Sequence, residues 1–165
     1  MPASAEERFA EIYREHRGLI AKTTYAFVAD EADRADLFQE ILIALWQALP
    51  QFGGQAKLST YVYRVALSCA LNWKRSRRRY ERRLEAYGNL LPSLPAEASA
   101  QDRERLQWLY ARIQELPPVD RSLLLLSLDR VSYGEIAEIT GLSESNIGVR
   151  LHRIKQQLCQ QSEEL

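Results

Sequence analysis

The stretch Tyr133-Gly134-Glu135-Ile136-Ala137-Glu138-Ile139-Thr140-Gly141-Leu142-Ser143-Glu144-Ser145-Asn146-Ile147 decides the fold class. It has the layout of a helix-turn-helix. Ala137, Gly141 and Ile147 stand where such a motif needs a small residue, a turn glycine and a buried apolar residue. Ala137 lets the second helix approach the first closely. Gly141 suits the left-handed conformation that ends a helix. Ser143 is placed to cap the next helix. The second helix of such a pair is built to enter a DNA major groove, so the segment points to duplex DNA.

Downstream, Ile147, Leu151, Ile154 and Leu158 recur at helical spacing and form the expected buried stripe of a last helix, Glu144 to about Gln161. Its opposite side offers Glu144, Ser145, Asn146, Gly148, Val149, Arg150 and Arg153. The first of these, after the cap Ser143, should meet base edges, while Arg150, Arg153 and Lys155 reach phosphates. Few residues follow Leu158, and no further folded domain is expected there. Upstream, Asp102 to Leu116 reads as a helix stopped by Pro117-Pro118. Val119 to Leu128 reads as a short apolar helix containing four consecutive leucines, Leu123 to Leu126.

The rest of the chain also reads as helix, because no alternating run of β-branched residues lies between turn signals. Ser4 followed by Glu7 is a capping box. From it a first helix should run to about Val28, with Phe9, Ile12, Tyr13, His16, Leu19, Ile20 and Thr23 at helical spacing. Asp30 to Asp33 reads as a polar break. A second helix starts near Asp33 and ends before Pro50, a loop covers Gln51 to Gln55, and a third helix runs from near Ser59, as far as Tyr87. Gly88 to Ser99, with Pro92 and Pro95, reads as a linker. The expected architecture is all-α, with two small helical domains at residues 4–88 and 102–162 joined by a flexible linker at 89–101.

A hydrophobic fraction of 46% in 165 residues supports a real core, and the scarcity of Gly and Pro (7 and 6) argues against an all-β or disordered chain. Cys69 and Cys159 form no metal-ligand pattern and read as free thiols in a reducing compartment. The polar, acidic start is no signal peptide, and no apolar run approaches a membrane span, so a cytoplasmic protein is expected. No phosphate loop, metal spacing or nucleophile motif points to an enzyme, a cofactor or a small-molecule substrate.

Net charge is zero, but the charge is unevenly placed. Arg64 to Arg83 holds eight basic residues and one acid, while both flanks are net acidic. A local polyanion contact explains this better than a generally basic protein. The cations Arg64, Lys74, Arg75, Arg77, Arg78, Arg79, Arg82 and Arg83 are interleaved with Tyr61, Tyr63, Trp73 and Tyr80. Arginine forks bind phosphates, and aromatic faces support unpaired bases. Tyr61 and Trp73 fit a hydrophobic core equally well. In Asp36 to Leu49, Leu37, Ile41, Leu45 and Ala48 form one apolar stripe, widened by Phe38, Leu42 and Leu49. Ile43 and Trp46 lie on a second face with Asp36, Gln39 and Glu40. A helix this apolar is either central in its domain or has a protein partner.

Taken together, the chain resembles a bacterial sigma factor of the extracytoplasmic-function (ECF) group of the sigma-70 family. Asp36-Leu37-Phe38-Gln39-Glu40 with Trp46 resembles a docking element of the family's region two. Thr60-Tyr61-Val62-Tyr63-Arg64-Val65-Ala66 and the arginine run resemble its promoter-melting part. Leu116-Pro117-Pro118-Val119-Asp120-Arg121, Ser132 to Ala137 and Arg150-Leu151-His152-Arg153 resemble region four. The resemblance implies that Asp36, Gln39, Glu40, Ile43 and Trp46 dock core RNA polymerase on the clamp helices of its beta-prime subunit, and that the beta flap is also contacted. It implies that Lys57, Tyr61, Arg64, Ser68, Asn72, Trp73, Arg75, Arg78 and Arg79 bind the minus-ten element as a melted strand. Ser143, Glu144, Ser145, Asn146, Val149, Arg150 and Arg153 would read the minus-thirty-five duplex. Promoter DNA and an anti-sigma factor are the other implied partners.

Some positions depart from the family pattern. Tyr61 stands where Trp is common, Leu67-Ser68 where Arg-Asn is usual, and Asn72 near a usual Asp. Ser145, Gly148 and Ile154 replace the commoner Gly, Lys and Ala. The missing cation at Gly148 should weaken phosphate anchoring or shift the sequence read. A competing reading is a helix-turn-helix regulator that binds duplex DNA without polymerase. It accounts for the last 60 or so residues but not for the aromatic and arginine segment.

Overall fold

The computed structural model describes the backbone of residues 4–80 and 99–163 and the side chains of residues 4–73 and 99–162. Residues 89–98 of the expected linker at 89–101, the end of the third helix beyond Tyr80, and Arg82 and Arg83 lie outside the described residues. The chain divides into two compact units, one within residues 1–96 and one within 97–165. All regular structure among the described residues is helical.

The first unit holds α1 (Ala5–Phe27), α2 (Glu31–Ala48), a 3₁₀ turn (Leu49–Gln51) and α3 (Leu58–Tyr80). The capping box forms as expected. Ser4 Oγ accepts from the Glu7 amide at 3.1 Å, and Glu7 Oε2 accepts from the Ser4 amide at 2.8 Å. The polar break at Asp30–Asp33 is instead the first turn of α2. Asp30 Oδ1 accepts from the Asp33 amide at 3.0 Å, which satisfies an otherwise orphaned donor and starts the helix earlier than expected. Pro50 does end α2, but within a 3₁₀ turn rather than at a clean stop.

The three helices close around Ile12, Ile20, Leu37, Phe38, Ile41, Leu45, Val62, Ala66, Ala70 and Trp73. Two threonines inside α1 are also buried. They are tolerated because Thr23 Oγ1 donates to the Leu19 carbonyl at 3.0 Å and Thr24 Oγ1 to the Ala21 carbonyl at 2.7 Å.

The second unit holds α4 (Ala100–Glu115), α5 (Pro118–Leu128), α6 (Tyr133–Thr140) and α7 (Glu144–Glu163). The expected linker end at 101 is corrected here. Ser99 caps α4 by accepting from the Asp102 amide at 3.1 Å, so the helix starts at Ala100. Arg121 closes the other end of α4. Its Nε donates to the Leu116 carbonyl at 2.7 Å, and its NH2 group donates to the Gln114 carbonyl. All four leucines from Leu123 to Leu126 are buried. α7 packs against both α5 and α6 through Ile147, Leu151 and Ile154, with Leu158 only half-buried at the end of the stripe.

Gly141 takes φ +75° and hands α6 over to α7, its amide donating to the Ala137 carbonyl at 2.8 Å. In that conformation any Cβ is strained. Gly141→Ala should therefore destabilise the second unit by about 1–2 kcal/mol. Phe38→Ala, which empties a fully buried site in the first unit, should cost about 3–5 kcal/mol. Urea denaturation of each variant checks both values.

Candidate nucleic-acid interface

Three surfaces carry the residues singled out from the sequence. The first is on α2. Leu37, Phe38, Ile41 and Leu45 turn into the core, which leaves Ile43 and Trp46 outward at 46% and 43% exposure. α2 packs against both α1 and α3 and still presents a second apolar face. Trp46 stands edge-on to Phe9 of α1, with ring centroids 5.2 Å apart and planes at 89°. The contact braces the indole while leaving much of it in solvent. Asp36, Gln39 and Glu40 are half-buried along the same helix.

The second surface is one face of α3. At 100° per residue, Lys57, Tyr61, Arg64, Ser68 and Asn72 fall within about 80° of one another. Lys57, Arg64, Ser68 and Asn72 are exposed and Tyr61 is half-buried. The Lys57 carbonyl accepts the Tyr61 amide at 3.1 Å and so starts the helix. The backbone positions of Arg75, Arg78 and Arg79 continue the same row, while their side chains lie outside the described residues.

Trp73 is the exception. It lies nearly opposite this face, with Val62, Ala66 and Ala70, and is 7% exposed within the core. A ring buried there has no face left for an unpaired base, so Trp73 is corrected from a DNA-binding candidate to a core residue. Tyr63 is buried as well. Tyr61 is held between roles: its hydroxyl donates to the Ala48 carbonyl at 2.8 Å, and its ring leans on Phe52 with centroids 4.8 Å apart. Phe52 belongs to no periodic run, which is why sequence spacing did not pair it with Tyr61.

Cys69, on α3, is partly buried. Burial, and then the charge of Glu40, push its thiol up to about 11. Cys159 is exposed on α7.

The third surface is the outer side of the helix-turn-helix. Ser132 and Glu135 form a second capping box at the start of α6. Ser143 Oγ accepts from the Asn146 amide at 3.3 Å, as expected of a cap. Ser145 and Asn146 are exposed at the start of α7, and Val149 is 70% exposed one turn further on. The Glu144 carboxylate folds back over Gly134, 3.7 Å from where a Cβ would sit, and so lies beside the N-terminus of α6. Gly148 packs beneath the Tyr133 ring, which a Cβ would meet at 3.5 Å.

Arg150 departs from its expected position. Its NH1 group donates to Asp120 Oδ1 at 2.7 Å and its Nε to Asn146 Oδ1 at 3.0 Å, so its guanidinium is committed inside the unit. Arg153 lies 3.5 Å from Asp120 Oδ2 and is 68% exposed. Asp120 was quoted from the sequence only as part of the region-four stretch, with no role of its own. A single acid thirty residues from its partner leaves no periodic signal.

Residues 12–80 match the family Sigma-70 region 2, and residues 106–158 match Sigma-70, region 4. One match falls in each compact unit, and together they take in most of the chain. The chain belongs to the extracytoplasmic-function sigma factors of the sigma-70 family. It is similar to the ECF RNA polymerase sigma factor SigE of Mycolicibacterium smegmatis, 27% identical over 90% of this chain and 59% of that protein. It is 28% identical to the ECF RNA polymerase sigma factor SigG of Mycobacterium tuberculosis over 81% of this chain and 43% of that protein. The chain thus spans about half the length of these curated relatives. The RNA polymerase sigma factor YlaC of Bacillus subtilis is 25% identical, over 94% of this chain and 90% of that protein.

Among solved structures, CnrH in complex with the cytosolic domain of CnrY matches 94% of this chain and 88% of that one, with a TM-score of 0.68 and 18% identity. RpoE in complex with the anti-sigma factor NepR from Bartonella quintana matches 92% and 94%, with a TM-score of 0.70 and 18% identity. These two likenesses support the fold of this ECF sigma factor.

Two outcomes follow from this geometry. The thiolate of Cys69 forms only at strongly alkaline pH, so iodoacetamide at pH 8 should label Cys159 and leave Cys69 unlabelled until the protein unfolds. Peptide mass spectrometry reads the result. Gly148→Lys should fold normally, because its Cβ meets Tyr133 at ordinary contact distance. It should make the salt dependence of duplex DNA binding steeper by about one in log–log slope, which fluorescence anisotropy in a salt series measures.

Proposed function

We propose that this sigma factor binds core RNA polymerase and directs promoter recognition, DNA melting and transcription initiation at its own set of promoters. The observation that carries this reading is α2, a helix packed against both α1 and α3 that still exposes Ile43 and Trp46. An intramolecular role does not account for that second face, whereas a polymerase partner does. Asp36, Gln39 and Glu40 flank the apolar pair and supply its polar rim.

The outward row of α3 is suited to a melted minus-ten strand. Lys57 and Arg64 offer charge, Ser68 and Asn72 offer hydrogen bonds, and the backbone positions of Arg75, Arg78 and Arg79 extend the row along the helix. The half-open Tyr61 ring is the aromatic surface the row presents to an unpaired base. The start of α7 is suited to the minus-thirty-five duplex, with Ser145 and Asn146 for base edges and Val149 for a thymine methyl group. Arg153 and Lys155 are the cations best placed for phosphates.

Domain roles follow the two units. Residues 4–88 dock and melt, residues 102–162 read the upstream duplex, and the segment between spans the distance. With zero net charge overall, the free protein should hold DNA weakly. Docking on polymerase then supplies the effective concentration for both contacts.

In this reading the chain is a non-catalytic subunit that works in the cytoplasm, with no cofactor and no small-molecule substrate. An anti-sigma factor is a further partner. The RpoE neighbour is bound to one, and CnrH is bound to the cytosolic domain of CnrY. No helix among the described residues is long and apolar enough to cross a membrane.

The deciding experiment is binding to core RNA polymerase followed by run-off transcription from a selected promoter. Trp46→Ala should weaken the complex at least tenfold while leaving the helical content intact, as expected for an aromatic anchor. Specific duplex binding by the free protein, with no affinity for polymerase, would instead establish a conventional helix-turn-helix regulator.

A further inference from the structure

We propose that Arg150 is a positioning residue rather than a phosphate contact. Together with the buried Asp120 it sets the orientation in which Asn146 meets the base edges of the upstream duplex. The inference rests on the assignment of α7 as the duplex-reading helix.

Asp120 is the third residue of α5 and its side chain is 5% exposed. Two cations from α7 face it, Arg150 at 2.7 Å and Arg153 at 3.5 Å. A carboxylate this buried is costly to leave unpaired. If Arg150 turned outward to a phosphate, Asp120 would keep only the longer contact to a largely exposed side chain. Arg150 therefore stays, and Arg153 is the arginine of the two that can move to DNA.

A guanidinium is a planar fork whose donors point in fixed directions. With its NH1 group held by Asp120, Nε points back along α7 to Asn146 Oδ1 at 3.0 Å. Arginine has no acceptor, so only the amide oxygen of Asn146 can face it. The amide is thereby oriented, with its oxygen toward Arg150 and its NH2 group away. Asn146 is exposed in the first turn of α7, on the side of the helix where base edges are read. Its two donors suit bases that present acceptors in the major groove (guanine, the N7 of adenine, thymine O4) and oppose the amino group of cytosine. Asp120 would then shape sequence preference without touching DNA.

The test uses the full chain reconstituted with bacterial core RNA polymerase and a pool of duplexes randomised in the upstream segment. Base preference at each position and the salt dependence of binding are both measured. Arg150→Lys keeps the cation but cannot hold Asp120 and Asn146 together in fixed geometry. It should flatten the preference at the same base pair as Asn146→Ala, by about tenfold, and the double variant should lose no more than either single one. Asp120→Asn should flatten the same position. If that variant fails to fold, Arg150→Lys carries the test by itself.

Arg153→Gln should make the salt slope shallower by about one, whereas Arg150→Gln should not. A native base preference in Arg150→Lys, or a loss of slope in Arg150→Gln equal to that in Arg153→Gln, would overturn the positioning role and leave the assignment of α7 intact. A wild-type complex with no preference anywhere in the upstream duplex would overturn that assignment, and this inference with it.

Discussion

The first unit depends on the inward row Val62, Ala66, Ala70 and Trp73 of α3. Ala66 and Ala70 are small, so α1 and α2 can approach α3 closely, and Trp73 fills the space at the far end of the row. Burial of that row sets the rotation of α3 about its own axis. The rotation then decides which polar residues face outward. Lys57, Arg64, Ser68 and Asn72 share a surface because the four apolar positions opposite them are committed to the core. The outward polar face is in this sense a by-product of packing. A change in the core row that rotated α3 would move the whole polar face.

The second unit uses the same logic at shorter range. Ile147, Leu151 and Ile154 pin α7 against α5 and α6, and the capped start of α7 is left outside. Apolar packing of three residues on a 20-residue helix sets rotation but leaves side chains on the outer face free to choose rotamers. The polar pair between Asp120 and Arg150 adds direction where packing cannot. It links the start of α5 to the outer side of α7, and one of its arms reaches Asn146.

Departures from the family pattern take on physical meaning in this setting. Leu67 is 3% exposed, so it contributes to packing where a charged residue is usual. Ile154 is also buried and fills volume that an alanine would leave to its neighbours. Gly148 removes a cation from the outer face of α7 and leaves room above it for the Tyr133 ring. Leu67 and Ile154 concern the core, whereas Gly148, like Ser68, Asn72 and Ser145, alters an outward face.

The all-α class, the helix-turn-helix with its caps and glycine, and the burial of the α7 stripe were legible in the sequence because they rest on local periodicity and on residues a few positions apart. The start of α4 was also encoded locally, in Ser99 followed by Asp102, but the preceding proline-rich composition masked it. The resemblance, rather than spacing, placed Lys57, Tyr61, Arg64, Ser68, Asn72 and Trp73 together on α3. It could not separate Trp73 as core from Tyr61 as rim, because aromatic rings satisfy both patterns and only the packing of α1 and α2 chooses between them. The commitment of Arg150 to Asp120 was decided by tertiary structure alone. The two residues are thirty positions apart, and their meeting depends on α5 and α7 burying a common set of leucines and isoleucines. The sequence by itself determined which segments are helices and where charge accumulates, since both follow from neighbours along the chain. How the two arginines of α7 share one buried carboxylate was decided only when the folded unit brought Asp120 to 2.7 Å from Arg150 and 3.5 Å from Arg153.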